Sequence, residues 1–129
     1  MTTTTINKVY AIRGAITVDE NTTQAIQDAS VNLVKVLRSK NKIADNEFIS
    51  LTASSTVDIT KAYPVTFMRE SPFIPKGTPF FSTQEPNIEG SLPFCIRIIV
   101  LIQKQQLDFK PIHFYLKGAK VLRPDLVGN

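Results

Sequence analysis

A chain of 129 residues, 43% apolar and 20% charged, is sized for one domain around a single core, and residues 1–129 read as one unit whose frayed part is residues 1–6. The net charge of +4 is spread along the chain with no basic block interleaved with aromatics, which argues against nucleic acid and fits a small anionic ligand. One cysteine forbids an internal disulfide, no metal-ligand spacing is present, and neither a leader-like start nor about 18 consecutive apolar residues occurs, so a cytoplasmic protein without membrane contact is expected.

Lys8 to Val18 reads as a strand rich in β-branched residues, with Gly14 marking a bulge or a close backbone approach. The period then changes. Ile26, Ala29, Leu33 and Val36/Leu37 recur at helical spacing after Asn21, Thr22 or Thr23 as caps, giving one amphipathic helix of roughly five turns. Its basic end, "RSKNK", reads as a solvated C-terminus where cations offset the macrodipole.

After a polar turn, "EFISLTAS" reads as a second strand, and a short helical piece begins near Pro64 with Arg69 close to its end. Three prolines punctuate "SPFIPKGTP", "FFSTQE" is a short strand, and "PNIEGSLP" leads into the long strand "PFCIRIIVLI". "PIHFYLKGAKVL" reads as the last strand, before "RPDL". The sum is a βαββββ order in the α+β class, with strands apolar on both sides that need a second cover. Self-association through the sheet is the simplest remedy.

The long strand poses the chemical question. Arg97 stands mid-run among Cys95, Ile99 and Leu101 on one face, and a guanidinium cannot shed its charge, so the fold must offer a carboxylate, carbonyls or a bound anion. Taken alone, the strand reads as buried on both faces and Arg97 as inside, with an internal ion pair or an edge position the simpler account. Gly-rich phosphate loops and nucleophile motifs are absent. His113, the sole histidine, reads as a surface or packing residue with proton acceptance left open, and Cys95 as a small core residue. What remains is Arg13, Arg69 and Arg97 in apolar settings, with Glu85 at a strand end and Tyr115 on the last strand. Convergent arginines suit a ligand with two or more carboxylates.

"IRGAITV", "YPVTFMRES", "QE" before a Gly-containing loop, "CIRII" and "HFYLKGAKVLRPDL", in this order and spacing, resemble the small trimeric chorismate mutases of the Bacillus type from about Tyr10 to Leu126. The resemblance implies a mixed five-stranded sheet with one long helix, three subunits forming a pseudo-barrel with active sites between neighbours, and Claisen rearrangement of chorismate to prephenate for phenylalanine and tyrosine, with no cofactor, metal or covalent intermediate. Carried over by position, Arg97 would face the ether oxygen as its bond breaks, Glu85 would accept from the ring hydroxyl, and Arg13 and Tyr115 would hold carboxylate. A neighbouring subunit would bring Tyr63, Thr66 and Arg69, while Phe80, Phe81, Ser82 and Leu122 would line the pocket. A million-fold acceleration needs about 8 kcal/mol, of which one desolvated cation supplies about 3 to 4 and positioning the rest.

Two positions depart from the resembled pattern: Ser82 stands where a cysteine is found and Thr66 where a lysine is found. A tail closing over the pocket would be short or absent. Arg123, in "RPDL", reads as an anchor of the last turn without a catalytic role. The rivals are a non-catalytic trimeric binding module for an anionic metabolite and the similarly folded imine deaminases, whose features the "RPDL" ending and the Arg13 context do not match.

Overall fold

The computed structural model describes residues 7–105 and 107–123. The expected frayed start, the Pro124–Leu126 part of the closing motif and the tail after it lie outside those residues. Strands β1 (Lys8–Thr17), β2 (Phe48–Ser55), β3 (Phe80–Gln84), β4 (Cys95–Lys104) and β5 (Phe114–Leu116) form one mixed sheet in the order β3-β2-β4-β1-β5. β4 is antiparallel to both β1 and β2, whereas the edge strands β3 and β5 run parallel to β2 and β1.

Helices α1 (Thr23–Asn41) and α2 (Pro64–Glu70) cover one face of this sheet. Thr22 caps α1: it is extended at φ −128°, and its hydroxyl accepts from the Ala25 N–H at 3.1 Å. The apolar stripe Ile26, Leu33, Val34 and Leu37 is fully buried against Ile12, Ile16, Ile96, Val100 and Ile102 of the two central strands. α1 ends at Lys42, held left-handed at φ 49°. Its basic end is more than a solvated face, since Arg38 donates to the Phe73 carbonyl at 3.1 Å and pairs with Asp45 at 2.7 Å, tying the helix to the loop after α2. Pro64 starts α2, as its missing N–H and fixed φ allow.

Gly14 marks a close approach. A Cβ there would lie 2.4 Å from Cζ of the buried Phe114 ring, which therefore seats against bare backbone.

Two expectations need correction. The last strand is only Phe114–Leu116: Lys117 turns left-handed at φ 53°, the Gly118 N–H donates to the Thr17 hydroxyl at 2.9 Å, and residues Lys117–Val121 form a 3-10 turn. β1 itself stops at Thr17, so no ladder remains to extend. The long strand, too, is not buried on both faces within the chain. Ile96, Ile98, Val100 and Ile102 lie under the helices; on the other side Cys95 is buried with Ala15, Tyr115 and Ala119, but beyond it Arg97 is exposed and Ile99 is 41% exposed.

Candidate active site

The uncovered face follows from register. Side chains alternate across strands, so Arg13 and Ala15 of β1, Thr52 and Ser54 of β2 and Arg97 and Ile99 of β4 share it. Ser54 stands opposite Arg97. Arg97 Nε donates to Glu85 Oε1 at 3.0 Å, and the Ser54 hydroxyl donates to the same oxygen at 2.6 Å. Glu85, just past β3, is placed by its own N–H, which donates to the Ser55 carbonyl at 2.8 Å. One carboxylate oxygen thus takes two donors, and among the described residues the other takes none, leaving an acceptor for something else.

Beside this pair a cleft of about 320 Å³ is lined by Arg13, Ala15, Thr52, Ser54, Arg97 and Tyr115, with Thr83 and Arg123 at its margin. Among the described residues the Arg13 guanidinium has no ion pair. Tyr115 is anchored by pairing opposite Ala15 and packs with Cys95 and Ala119, so its ring is fixed and only 6% exposed. Arg97, by contrast, keeps 46% of its side chain exposed although paired. Its partner is a carboxylate, as the simpler sequence account required, yet Arg97 itself lines the cleft.

A second cleft, of about 620 Å³, lies on the helix side of the same sheet edge. Ser55, Lys61, Tyr63, Pro64, Ser82 and Gln84 line it, and Thr83 of the edge strand borders both. Consecutive residues point to opposite faces, so Ser54 belongs to the first cleft and Ser55 to the second. Of the residues expected at one site, the chain therefore brings Arg13, Arg97, Glu85 and Tyr115 together and sets Tyr63 and Ser82 apart. Thr66 and Arg69 on α2, Phe80 and Phe81 on β3, and Leu122 beyond the last turn line neither cleft. Tyr63 and Phe81 are strongly exposed, at 73% and 64%.

Sequence reasoning missed four residues here. Ser54 is an unremarked serine until register sets it across from Arg97, Lys61 is the cation of the second cleft, Arg123 borders the first, and the His113 ring accepts from the Arg13 N–H at 3.0 Å. Burial, then the Arg13 and Arg123 guanidinium groups, hold the His113 imidazole below its ordinary value. Burial likewise pushes the Cys95 thiol up to about 11, with Arg97 pulling the other way, so Cys95 is an inert core thiol packed beneath Tyr115. Among the described residues no cluster of three or more His, Cys, Asp or Glu side chains could hold a metal ion, and no helix is long and apolar enough to cross a membrane.

A mixed sheet that leaves one face open, with a guanidinium–carboxylate pair beside a second arginine and a fixed tyrosine, defines a binder of small polyanions that can place charge and hydrogen bonds with direction. Comparison with known proteins narrows the class. Residues 9–126 match the family model of chorismate mutase type I, and the chain belongs to that family. It is 35% identical over 119 residues to the chorismate mutase AroH of Thermus thermophilus, covering 92% of this chain and 96% of that protein. To the chorismate mutase AroH of Bacillus subtilis it is 29% identical over 118 residues, 92% of each. A solved chorismate mutase from Clostridium thermocellum superposes with a TM-score of 0.78 at 32% identity, covering 87% of this chain and 98% of that one. The expected α+β subunit with a mixed five-stranded sheet stands, and so does the expected enzyme class, chorismate mutase.

Proposed function

We propose that the open-face cleft is where this mutase rearranges chorismate to prephenate, and that the helix-side cleft of a second chain in a homotrimer completes it. The observation that carries the assignment is the Arg97–Glu85 pair, whose arginine lines the cleft and whose carboxylate keeps one oxygen unclaimed among the described residues. In the rearrangement the ether C–O bond breaks as a C–C bond forms, electrons shift within one molecule, and no group leaves. The enzyme has only to hold the folded conformer and stabilise separated charge.

Arg97 faces the ether oxygen, on which negative charge grows, and Ser54 and Glu85 hold its guanidinium in place before reaction begins. Glu85 Oε2 accepts from the ring hydroxyl. Arg13 and the Tyr115 hydroxyl take the enolpyruvyl carboxylate. From the neighbour, Tyr63 supplies an aromatic wall, Ser82 a small polar contact and Lys61 the cation near the ring carboxylate, with Thr66 and Arg69 on the neighbour's α2 and Phe80, Phe81 and Leu122 at the seam.

Two features support completion by another copy. The half-sites lie on opposite faces of one sheet edge, so a single chain cannot close them around one small molecule. The open face also exposes Val9, Phe81 and Ile99, apolar surface that a neighbour would bury. Loss of chorismate absorbance, with prephenate identified after acid conversion to phenylpyruvate, tests the reaction, and light scattering on the eluting peak tests the assembly. Saturable turnover by a particle of three chains is expected. A monomer with full turnover would contradict the shared site.

A further inference from the structure

We propose that His113 is a positioning residue for Arg13, fixing the backbone from which that guanidinium reaches substrate. This rests on the reading above, in which Arg13 holds a substrate carboxylate. β5 pairs with β1 only from Gly14 opposite Phe114 to Ile16 opposite Leu116, so the ladder begins one residue after Arg13. The His113 ring continues it: Nδ1 stands where a strand carbonyl would be and accepts from the Arg13 N–H at 3.0 Å. That bond requires a neutral ring with its proton on Nε2.

The segment carrying the ring is itself tied down. Asn41, at the end of α1 and 2% exposed, accepts from the Ile112 N–H at 2.7 Å and donates to the Ile112 carbonyl at 3.1 Å and to the Leu37 carbonyl at 3.1 Å. A continuous path therefore runs from the core-packed helix through Asn41 and Ile112 to His113 and on to Arg13. A buried asparagine spending its amide on one loop residue would be a costly way merely to close a loop; here it sets the ring that sets an active-site strand.

The charged groups facing the ring are Arg13 from β1 and Arg123 from the segment after the 3-10 turn; burial first, and then these two cations, disfavour the charged imidazole. Once protonated, it can no longer accept, and Arg13 loses its tether. Because Arg13 is assigned to substrate binding, KM should respond more than kcat.

The experiment measures kcat and KM from about pH 5 to 8 for the wild-type enzyme and for Arg13→Ala, His113→Phe and His113→Asn. His113→Phe keeps a ring but no acceptor and should raise KM about tenfold at neutral pH, the upper end of the worth of one hydrogen bond. Asparagine places Oδ1 where Nδ1 stood, so His113→Asn should restore KM to within about threefold and abolish the rise in KM expected of the wild type toward acid pH. A crippled Arg13→Ala beside a His113→Phe of normal KM would overturn the role of His113 alone. A normal Arg13→Ala would overturn the placement of Arg13 and with it this proposal. If His113→Phe does not fold, His113→Asn decides, and an acid rise in KM that survives in it contradicts the proposal.

Discussion

The two faces of β4 are built from the same ten residues and do opposite work. Under the helices, Ile96, Ile98, Val100 and Ile102 are almost completely buried and carry no polar group, so that face stabilises and does nothing else. One residue over, Arg97 and Ile99 remain accessible, and every charged group of the first cleft stands on that side. Alternation with period two lets one strand be core and active site at once, so substitutions on the two sides should separate stability from turnover.

The sharpest separation is at Arg97. Arg97→Ala should lower kcat/KM by at least about a thousandfold, as loss of the group facing developing charge does, with the urea midpoint displaced by no more than about 0.5 kcal/mol in stability. Arg97→Lys should remain impaired at least about tenfold, because a point charge cannot hold Glu85 and face the substrate as the planar fork does. If Arg97→Ala instead unfolds the protein, the pair with Glu85 is structural. Leu33→Ala, on the helix that covers the other face, is the mirror experiment: about 2–5 kcal/mol lost in chemical denaturation, with unchanged turnover per folded molecule.

Gly14→Ala crosses the boundary between the faces. The new methyl would strike Phe114 from the core side, costing about 1–3 kcal/mol in thermal or urea unfolding, and would disturb the neighbouring Arg13 as well. The smallest effect belongs to Ser54→Ala. It removes one of the two donors to Glu85 Oε1 without removing a charge, so kcat/KM should fall about tenfold while stability barely moves, and Ser54→Thr should recover most of the loss. An unchanged Ser54→Ala would mean that Arg97 alone orients the carboxylate.

The core side was legible in the sequence because burial leaves a periodic signal: the α1 stripe, its Thr22 cap, Pro64 opening α2, and the β-branched run of β4 all sit where their spacing put them. The open side was less so. In the sequence an apolar residue that stays exposed looks the same as one bound for the core, so the run that holds Arg97 and Ile99 reads as internal. β5 was read too long because its end is set by where β1 stops and by a left-handed turn at Lys117, a residue type that gives no warning of positive φ. The arginines and Glu85 stood out as charges in oily surroundings. Ser54 and His113 did not, since a serine or a single histidine acquires meaning only when register brings it to Glu85 or to the Arg13 N–H.

The central claim is that the two clefts on opposite faces of the β2–β3 edge are halves of one site shared between chains. Co-expression of Arg97→Ala with Ser82→Trp, a side chain that would fill the second cleft, tests it directly. Each variant alone should be inactive, and the co-expressed pool should regain about a quarter of wild-type turnover, because random assembly pairs two intact halves at about one site in four. Full activity of Ser82→Trp alone, or no recovery from trimers shown to contain both chains, would contradict it.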